Sequence, residues 1–378
     1  MRSVTEGEEI EYYVKSTVTY SNRGDKPWNF TEREEDRAIG LFMNNSWQTV
    51  YLVTSTPPVE TRENNTDGNP VAVLRFPDTL NPGRNISYSV TYRVISKPRT
   101  LDNINETASK NLSAIPPEFL KEKYLGAEGP WLINDIELQN LAYNITGNES
   151  NVLTIVNSFI SWIKTHITYP DPNQMHEVPQ YPDETLREQE GDCDDQAILL
   201  VTLCRILRIP AFLQIGAIYT PHLPPTKASY WDNHVTAVQK RIGWHGWAIV
   251  YIPPWGWLPV DLTYTFKPIA KDPLNAIKNA AVTSQITIQY MNISQSDYVA
   301  SSREARDFLM NNGFYVYMED EMTKITRRKK PFVENVENLL PVFLVAAALL
   351  LTSSYVRARR LKREEETPTD LTSVRRNI

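Results

Sequence analysis

A cysteine near the middle of the chain stands where its thiol could act as a nucleophile. Cys193 lies in the segment Gly191-Asp192-Cys193-Asp194-Asp195, and residues of an apolar stripe follow at helical spacing. The stripe is Cys193, Ala197, Leu200, Cys204 and Leu207. It predicts a helix that opens at Asp192, with this aspartate as N-cap. The N–H groups and partial positive charge of a helix N-terminus favour a thiolate, so we expect Cys193 to titrate below about 8.5. The adjacent carboxylates act in the opposite direction.

A cysteine nucleophile needs a base for its proton, and the base needs a carboxylate or amide that fixes its tautomer. His245 lies in Trp244-His245-Gly246-Trp247, and Asp261 ends the segment Trp257-Leu258-Pro259-Val260-Asp261. A Pro253-Pro254-Trp255-Gly256 turn separates the two segments, so an antiparallel pair could bring both side chains together. The spacing is therefore compatible with Cys193 as nucleophile, His245 as general base and Asp261 as the orienting acid.

Other residues offer alternatives to this arrangement. His234 also heads a predicted strand and is the rival base, although it lacks a following Trp; the alternative is a structural or surface role. His222 is predicted to be a loop residue, and Cys204 a buried thiol. The tryptophans at 244, 247, 255 and 257 could line a cleft or serve as core and turn packing. The spacing fits neither a disulfide, a zinc site nor an EF-hand, so we predict two free thiols, no metal and no cofactor.

The predicted elements around these residues give an α+β chain. Alternating strands at Ile10–Tyr20, Trp47–Thr54, Val71–Phe76 and Ile86–Ser96 predict a small antiparallel β-sandwich over residues 1–100. A polar, partly helical connector follows over 101–148. Helices at 152–163 and from 192 precede strands at 211–218, 234–239, 247–252 and 257–262. A capping-box pattern at Ser301 predicts one more helix, which ends at Gly313.

Charge and hydropathy divide the chain of 378 residues near its end. Residues 1–323 carry a net charge of −12, which argues against nucleic acid as a partner, whereas residues 324–378 carry +6. Residues 339–356, LLPVFLVAAALLLTSSYV, contain no charge and are just long enough to cross a bilayer. Five basic residues between 357 and 363 follow them, and five between 324 and 330 precede them. We therefore predict one C-terminal transmembrane helix at 338–356 and a basic cytoplasmic tail at 357–378.

Nine Asn-x-Ser/Thr sequons favour an extracellular body, because all of them precede the predicted span. They begin at Asn29, Asn44, Asn64, Asn85, Asn105, Asn111, Asn144, Asn148 and Asn292. The expected location is the cell membrane, single-pass, as a surface glycoprotein. The first residues, MRSVTEGEEIEYY, lack the apolar core of a signal peptide, so we expect a different start, a chain that is a fragment of a longer protein, or insertion through the C-terminal anchor.

Ordered blocks within residues 150–265 resemble the transglutaminase-like superfamily of papain-fold thiol enzymes. The blocks are Ile167-Thr168-Tyr169, Thr185-Leu186, Gly191-Asp192-Cys193, Leu199-Leu200 followed by Arg205 to Pro210, His245-x-Trp247, and Gly256-Trp257-x3-Asp261-x-Thr263. The resemblance implies a papain-like core at 149–298, with Cys193 matching the nucleophile, His245 the base and Asp261 the orienting acid. Gly246 and Ile249 depart from the usual Ala and acidic residue of the family, which affects substrate contacts more than the triad.

The resemblance implies a membrane-anchored thiol enzyme that forms a thioester on Cys193. It would act on carboxamide or peptide groups of protein substrates, as transferase, peptidase or amidase. The alternative is a catalytically inactive surface scaffold with the same fold. The segment at 299–337 is expected to be a helical, basic link between the core and the membrane.

Overall fold

The computed structural model describes residues 9–99, 103–171, 175–265 and 267–325 of the chain. The N-terminal strands are β1 (Ile10–Asn22), β2 (Trp28–Asn29), β3 (Ala38–Gly40), β4 (Gln48–Thr56), β5 (Val59–Asn64), β6 (Pro70–Leu74), β7 (Thr79–Leu80) and β8 (Asn85–Ser96). The helices that follow are α1 (Glu122–Leu125), α2 (Ile136–Thr146), α3 (Val152–His166), α4 (Pro182–Glu188) and α5 (Cys193–Ile206). The remaining elements are β9 (Ala211–Tyr219), β10 (Thr226–Tyr230), β11 (Val235–Lys240), β12 (Ile242–Ile252), β13 (Gly256–Val260), α6 (Asn275–Val282), β14 (Thr287–Ile293), α7 (Tyr298–Asn312) and β15 (Phe314–Ile325).

The largest sheet combines strands from distant parts of the sequence. Its order is β10-β11-β15-β1-β8-β4, and the β11–β15 pair is its parallel one. The period of two in β1 places Tyr12 and Val14 in the core and Tyr13 on the outer face, as the alternation predicts. A second, three-stranded layer of order β3-β6-β5 contributes Ala72 and Leu74 to the same core.

The position of β15 differs from the prediction for residues 299–337. We expected a helical link there, but a helix and then a twelve-residue strand occupy the described part, and β15 pairs with β1 along its whole length. In the charged sequence FYVYMEDEMTKI, apolar and polar residues alternate only weakly. Pairing with a neighbouring strand, rather than the local pattern, therefore determines that the segment is a strand. Strands on both sides of the predicted boundary at residue 100 thus share one sheet, and the domain boundaries stay a prediction.

A four-stranded antiparallel sheet of order β13-β12-β9-β14 forms the core of the second half. Helices α3 and α5 pack on one face, and residues such as Ala217 and Ile288 pack towards the sandwich on the other. Because both faces are covered, eight of the nine residues of β9 are buried. The predicted stripe of α3 is fully buried, and the predicted strands from 211 to 262 are all present.

Hydrogen bonds to the Asp67 carboxylate connect the sandwich to the core. Asp67 is 4% exposed and accepts from the backbone N–H groups of Ser294 and Gln295 and from the Ser294 hydroxyl. The Ser296 hydroxyl and N–H also donate to it. The same segment leads into α7, which begins at Tyr298 with Asp297 as N-cap, four residues earlier than the predicted N-cap Ser301. Gly313 ends α7 in a left-handed conformation, as predicted.

The C-terminal residues 326–378 lie outside the described part of the chain, and the predicted transmembrane helix at 338–356 lies among them. In the described residues, the helices are all too short or too polar to cross a bilayer. The predicted anchor therefore has no support from the structure.

Candidate active site

Cys193 is the first residue of α5, as the sequence predicts. The Asp192 side chain accepts from the backbone N–H of Asp194, and Asp195 returns a bond to the N–H of Asp192, which forms a capping box. Cys193 is half-buried, and its Sγ lies 3.8 Å from Oδ1 of Asp194. The capping box fixes the start of the helix, and with it the position of the thiol.

His245 and Asp261 meet across the β12–β13 hairpin. The ring Nε2 of His245 lies 2.8 Å from Oδ2 of Asp261, and both side chains are about nine-tenths buried. The strands pair antiparallel from Ala248 opposite Val260 to Ile252 opposite Gly256, which brings the two residues to the same end of the hairpin. Because Nε2 of His245 is hydrogen-bonded to Asp261, Nδ1 is the ring nitrogen that could accept the proton of a thiol.

Backbone donors hold the Asp261 carboxylate in place. Its Oδ1 accepts from the N–H groups of Thr263 and Tyr264, each at 3.0 Å, while its own N–H donates to the carbonyl of Ala276. These backbone contacts orient the carboxylate independently of its hydrogen bond to the imidazole. An Asx-turn of this kind commonly follows Asp, but its partner across the hairpin is visible only in the folded chain.

The helix N-terminus lies directly on β12 at Gly246. A Cβ at this glycine would lie 3.0 Å from the Cβ of Asp194 and 3.1 Å from Ile215, and the Gly246 N–H hydrogen-bonds to the Cys193 thiol. A side chain at this point would push α5 away from the strand. The departure of Gly246 from the family pattern therefore has a packing reason, and the contact brings Cys193 next to the residue that follows His245.

The electrostatics of Cys193 differ from our expectation. Burial, followed by the carboxylates of Asp194 and Asp192, raises the pKa of the Cys193 thiol well above its usual value, although the Gly246 N–H partly offsets this. Burial is the largest of these causes, and the two carboxylates add to it because they lie within a few ångströms of the sulfur. The direction of the shift favours a neutral thiol at rest and is opposite to the lowered pKa that we expected.

The three ligand atoms of Asp192, Cys193 and Asp194 lie within 4.8 Å of one another. The helix cap, the Gly246 N–H and the phenol of Tyr298, which hydrogen-bonds to Asp194, account for these groups. We assign no metal to them, since such acidic turns are common without an ion.

The alternative residues have other partners. Nδ1 of His234 lies 2.7 Å from the carbonyl of Phe314, and its ring stacks on Tyr315 at 4.2 Å, which fits the structural role. His222 is exposed in a turn, and Cys204 is a fully buried free thiol. Trp247 is 4% exposed and packs with Phe212 and Ile249, which favours core packing over a cleft.

Sequence reasoning missed two polar groups close to the site. Nζ of Lys164, on α3, lies 3.2 Å from Oε1 of Gln196, whose amide donates to the carbonyl of Gly191. Burial lowers the pKa of Lys164, and the Asp261 carboxylate raises it. Tyr298, at the start of α7, is the second group. A lysine in an amphipathic helix is expected to be solvated, so no local sequence signal indicates Lys164.

Comparison with known proteins agrees with this geometry. Residues 139–262 match the family model of the transglutaminase-like superfamily, so this stretch of the chain is a transglutaminase-like core. A solved structure of a candidate cysteine protease from Cytophaga hutchinsonii is 18% identical, with a TM-score of 0.50 over 86% of this chain and 94% of that one. At this identity the likeness shows the fold alone.

Two further structures are more distant. The periplasmic domain of TgpA from Pseudomonas aeruginosa is 16% identical, with a TM-score of 0.34 over 73% of this chain and 75% of that one. Red sea bream transglutaminase is 10% identical, with a TM-score of 0.28 over 68% of this chain and 48% of that one. No curated protein matches the sequence. The chain thus carries a transglutaminase-like, cysteine-protease-type fold, and the catalytic roles of its residues stay predictions.

Proposed function

We propose that the protein is a thiol enzyme that cleaves or exchanges carboxamide or peptide groups of protein substrates through a thioester on Cys193. The observation that carries the proposal is the His245–Asp261 hydrogen bond of 2.8 Å beside the helix N-terminus that holds the thiol. A base fixed by a buried carboxylate, next to a cysteine at a helix N-terminus, is the arrangement that thiol acyl transfer requires.

The first half of the reaction forms the acyl-enzyme. The Cys193 S–H gives its proton to Nδ1 of His245 as the sulfur attacks the carbonyl carbon, and the backbone N–H of Cys193 is the natural donor to the oxyanion. The C–N bond then breaks, and the imidazolium returns the proton to the leaving ammonia or amine. Because the resting thiol is neutral, its proton leaves during the attack rather than beforehand.

The second half resolves the thioester. Either water or a primary amine loses a proton to His245 and attacks the carbonyl, the C–S bond breaks, and the proton returns to the thiolate. Water yields a carboxylic acid, whereas an amine yields a new amide. The same three residues perform both reactions, so the acceptor decides between a hydrolase and a cross-linking transferase. Protein substrates are supported by the protease-type fold of the Cytophaga hutchinsonii structure.

We also propose that the C-terminal segment anchors the protein in the cell membrane, with the body outside. The support comes from the sequence, through the uncharged run at 339–356 and its basic flanks. The nine sequons add to it, since seven of the nine asparagines are exposed. These are Asn44, Asn64, Asn85, Asn105, Asn111, Asn144 and Asn148.

One observation favours the inactive scaffold as a second candidate. Burial and the carboxylates of Asp194 and Asp192 raise the pKa of the Cys193 thiol well above its usual value, which lowers the fraction of thiolate available for attack.

The deciding experiment incubates the purified full-length protein with glutamine-containing peptides, with and without a primary amine, and follows the products by mass spectrometry. Amine adducts identify a transferase, deamidated or cleaved peptide identifies a hydrolase, and both should vanish in Cys193→Ala. Cys204→Ala is the matched control and should keep the activity. Unchanged peptide under all conditions would support the scaffold instead.

A further inference from the structure

Exposed aromatic side chains gather at one end of the large sheet. Trp47, Tyr51 and Tyr13, which we call the aromatic rim, are 42%, 49% and 40% exposed. Tyr13 pairs with Arg93 of β8, and Arg93 pairs with Tyr51 of β4. Tyr13, Arg93 and Tyr51 therefore share one row on the outer face. Large apolar groups of this kind, clustered on one face, mark an interaction surface.

The strand register places the aromatic rim where the described chain ends. The last residue of β15, Ile325, lies opposite Glu11 of β1, and Thr323 lies opposite Tyr13. The row of Tyr13 and Tyr51 is thus two residues, about 7 Å, from the end of β15. Trp47 lies further towards the same end, directly before β4 begins at Gln48.

The sequence beyond Ile325 is rich in residue types that favour contact with lipid. Arg327, Arg328, Lys329 and Lys330 follow within five residues, and the uncharged run begins at 339. Trp and Tyr are enriched at the level of the headgroups on both sides of a membrane, and Arg and Lys side chains there can bind lipid phosphates.

We propose that the aromatic rim rests on the lipid headgroup layer and holds the body in one orientation on the membrane. The inference rests on the proposed C-terminal anchor, and it adds a second contact between protein and bilayer. An anchor alone does not determine which side of the body faces the lipid. Contact through the rim fixes which side of the molecule faces the lipid.

Tyr317 provides a matched control within the same sheet. It is 40% exposed, as Tyr13 is, and its pairing with Thr19 puts it on the same outer face. It precedes Thr323 by six residues, which is about 20 Å along the strand. A surface that merely favours lipid because it is aromatic would involve Tyr317 equally, whereas the rim proposal excludes it.

The test uses the full chain in vesicles of mixed zwitterionic and anionic lipid, with both native cysteines replaced by Cys193→Ser and Cys204→Ala. A fluorophore is attached through Tyr51→Cys or Tyr317→Cys, and a headgroup nitroxide lipid quenches it. We expect about fivefold stronger quenching at position 51 than at 317. Melting temperatures of both labelled proteins should equal that of the unlabelled parent, which confirms that each is folded.

The outcomes separate the two proposals. Protein that floats with the vesicles but shows no quenching at position 51 overturns the rim contact and leaves the anchor standing. Equal quenching at both positions also overturns it, because the whole face would then lie on the lipid. Protein that does not float with the vesicles overturns the anchor and the rim contact together.

Discussion

The thiol of Cys193 lies 3.8 Å from the carboxylate of Asp194, the next residue in the same helical turn. A negative charge at this distance opposes a thiolate, whereas the Gly246 N–H on the other side favours one. The Asp194 carboxylate and the Gly246 N–H thus shift the pKa of Cys193 in opposite directions, and burial favours the neutral thiol. Its reactivity should depend on how His245 takes the proton rather than on a permanent ion pair.

Alkylation of Cys193 should rise steeply with pH, because burial and the neighbouring carboxylates raise its pKa. Below the raised pKa the thiol is protonated and slow, so the rate at pH 6 should be a small fraction of that at pH 9. Asp194→Asn removes one of the opposing charges and should shift the profile down by about one pH unit. Iodoacetamide labelling followed by peptide mapping measures both profiles, and buried Cys204 should stay unlabelled. A rate that persists at pH 6 in the wild type would restore the preformed thiolate.

Replacing His245 by Ala should reduce turnover of a glutamine peptide by about 10²–10⁴-fold, since the base that takes the thiol proton is lost. His234→Ala is the control and should leave kcat per folded molecule unchanged. It should instead lower the free energy of unfolding by about 1–3 kcal/mol, because the carbonyl of Phe314 loses its buried partner. Steady-state kinetics and chemical denaturation separate the two effects. The reverse pattern would show that His234 is the base.

Gly246→Ala should both destabilise the protein and slow the reaction. The added methyl would lie 3.0 Å from the Cβ of Asp194, so α5 must shift away from β12 at a cost of about 1–3 kcal/mol. Gly243→Ala on the same strand is the matched control, because the nearest atom to its added methyl is Thr220 Cγ2 at 3.9 Å. Denaturant titration should show a loss for the first variant and none for the second. Equal stabilities would mean that the helix does not press on the strand at Gly246.

Asp67 should make the protein sensitive to acid. Burial raises the pKa of its carboxyl, but hydrogen bonds from Ser296, Gln295 and Ser294 outweigh burial and bring the pKa below its usual value. A lowered folded pKa contributes stability above the unfolded value of about 3.9, and this contribution is lost as pH falls through the folded value. Asp67→Asn should therefore be less stable than the wild type at pH 7, by about 1–3 kcal/mol, and the gap should narrow towards pH 2. A stability difference between the wild type and Asp67→Asn that stayed constant in thermal melts from pH 7 to pH 2 would contradict the lowered pKa of Asp67.

Glycosylation should distinguish the exposed sequons from Asn292. Asn292 is half-buried, its Oδ1 accepts from Gln214 at 2.7 Å and its backbone N–H donates to Asn69, so a glycan at this position would disturb these contacts. Chain expressed through a secretory pathway should lose mass on treatment with an N-glycosidase, and mapping should find glycans among the seven exposed asparagines. Asn292→Gln should leave the size of the loss unchanged. A body without any glycan would argue against the extracellular location.

Much of the core could be predicted from the sequence because its signals are local. The apolar stripe of α3, the cap at Asp192 and the turn between His245 and Asp261 each lie within a few residues of the element they define. The order of the motifs likewise indicated the transglutaminase-like core, which the family match over 139–262 confirms.

The prediction failed where an element depends on a distant partner. The strand β15 carries five charged or hydroxyl side chains among its last seven residues, and pairing with β1 and β11 stabilises it as a strand. The start of α7 was missed by four residues, since its cap at Asp297 was overlooked beside the stronger local pattern at Ser301.

The candidate catalytic residues were evident from the amino-acid sequence, because a thiol, an imidazole and a carboxylate in this order are a property of the chain. Their protonation and their contacts, in contrast, depend on how the chain folds. The contact of α5 with β12 at Gly246 and the burial of the acidic turn set the pKa of Cys193, and the β12–β13 hairpin selected Nε2 of His245 for Asp261. Residue types are encoded one by one, whereas dielectric surroundings and distances between elements arise only when separate segments pack together.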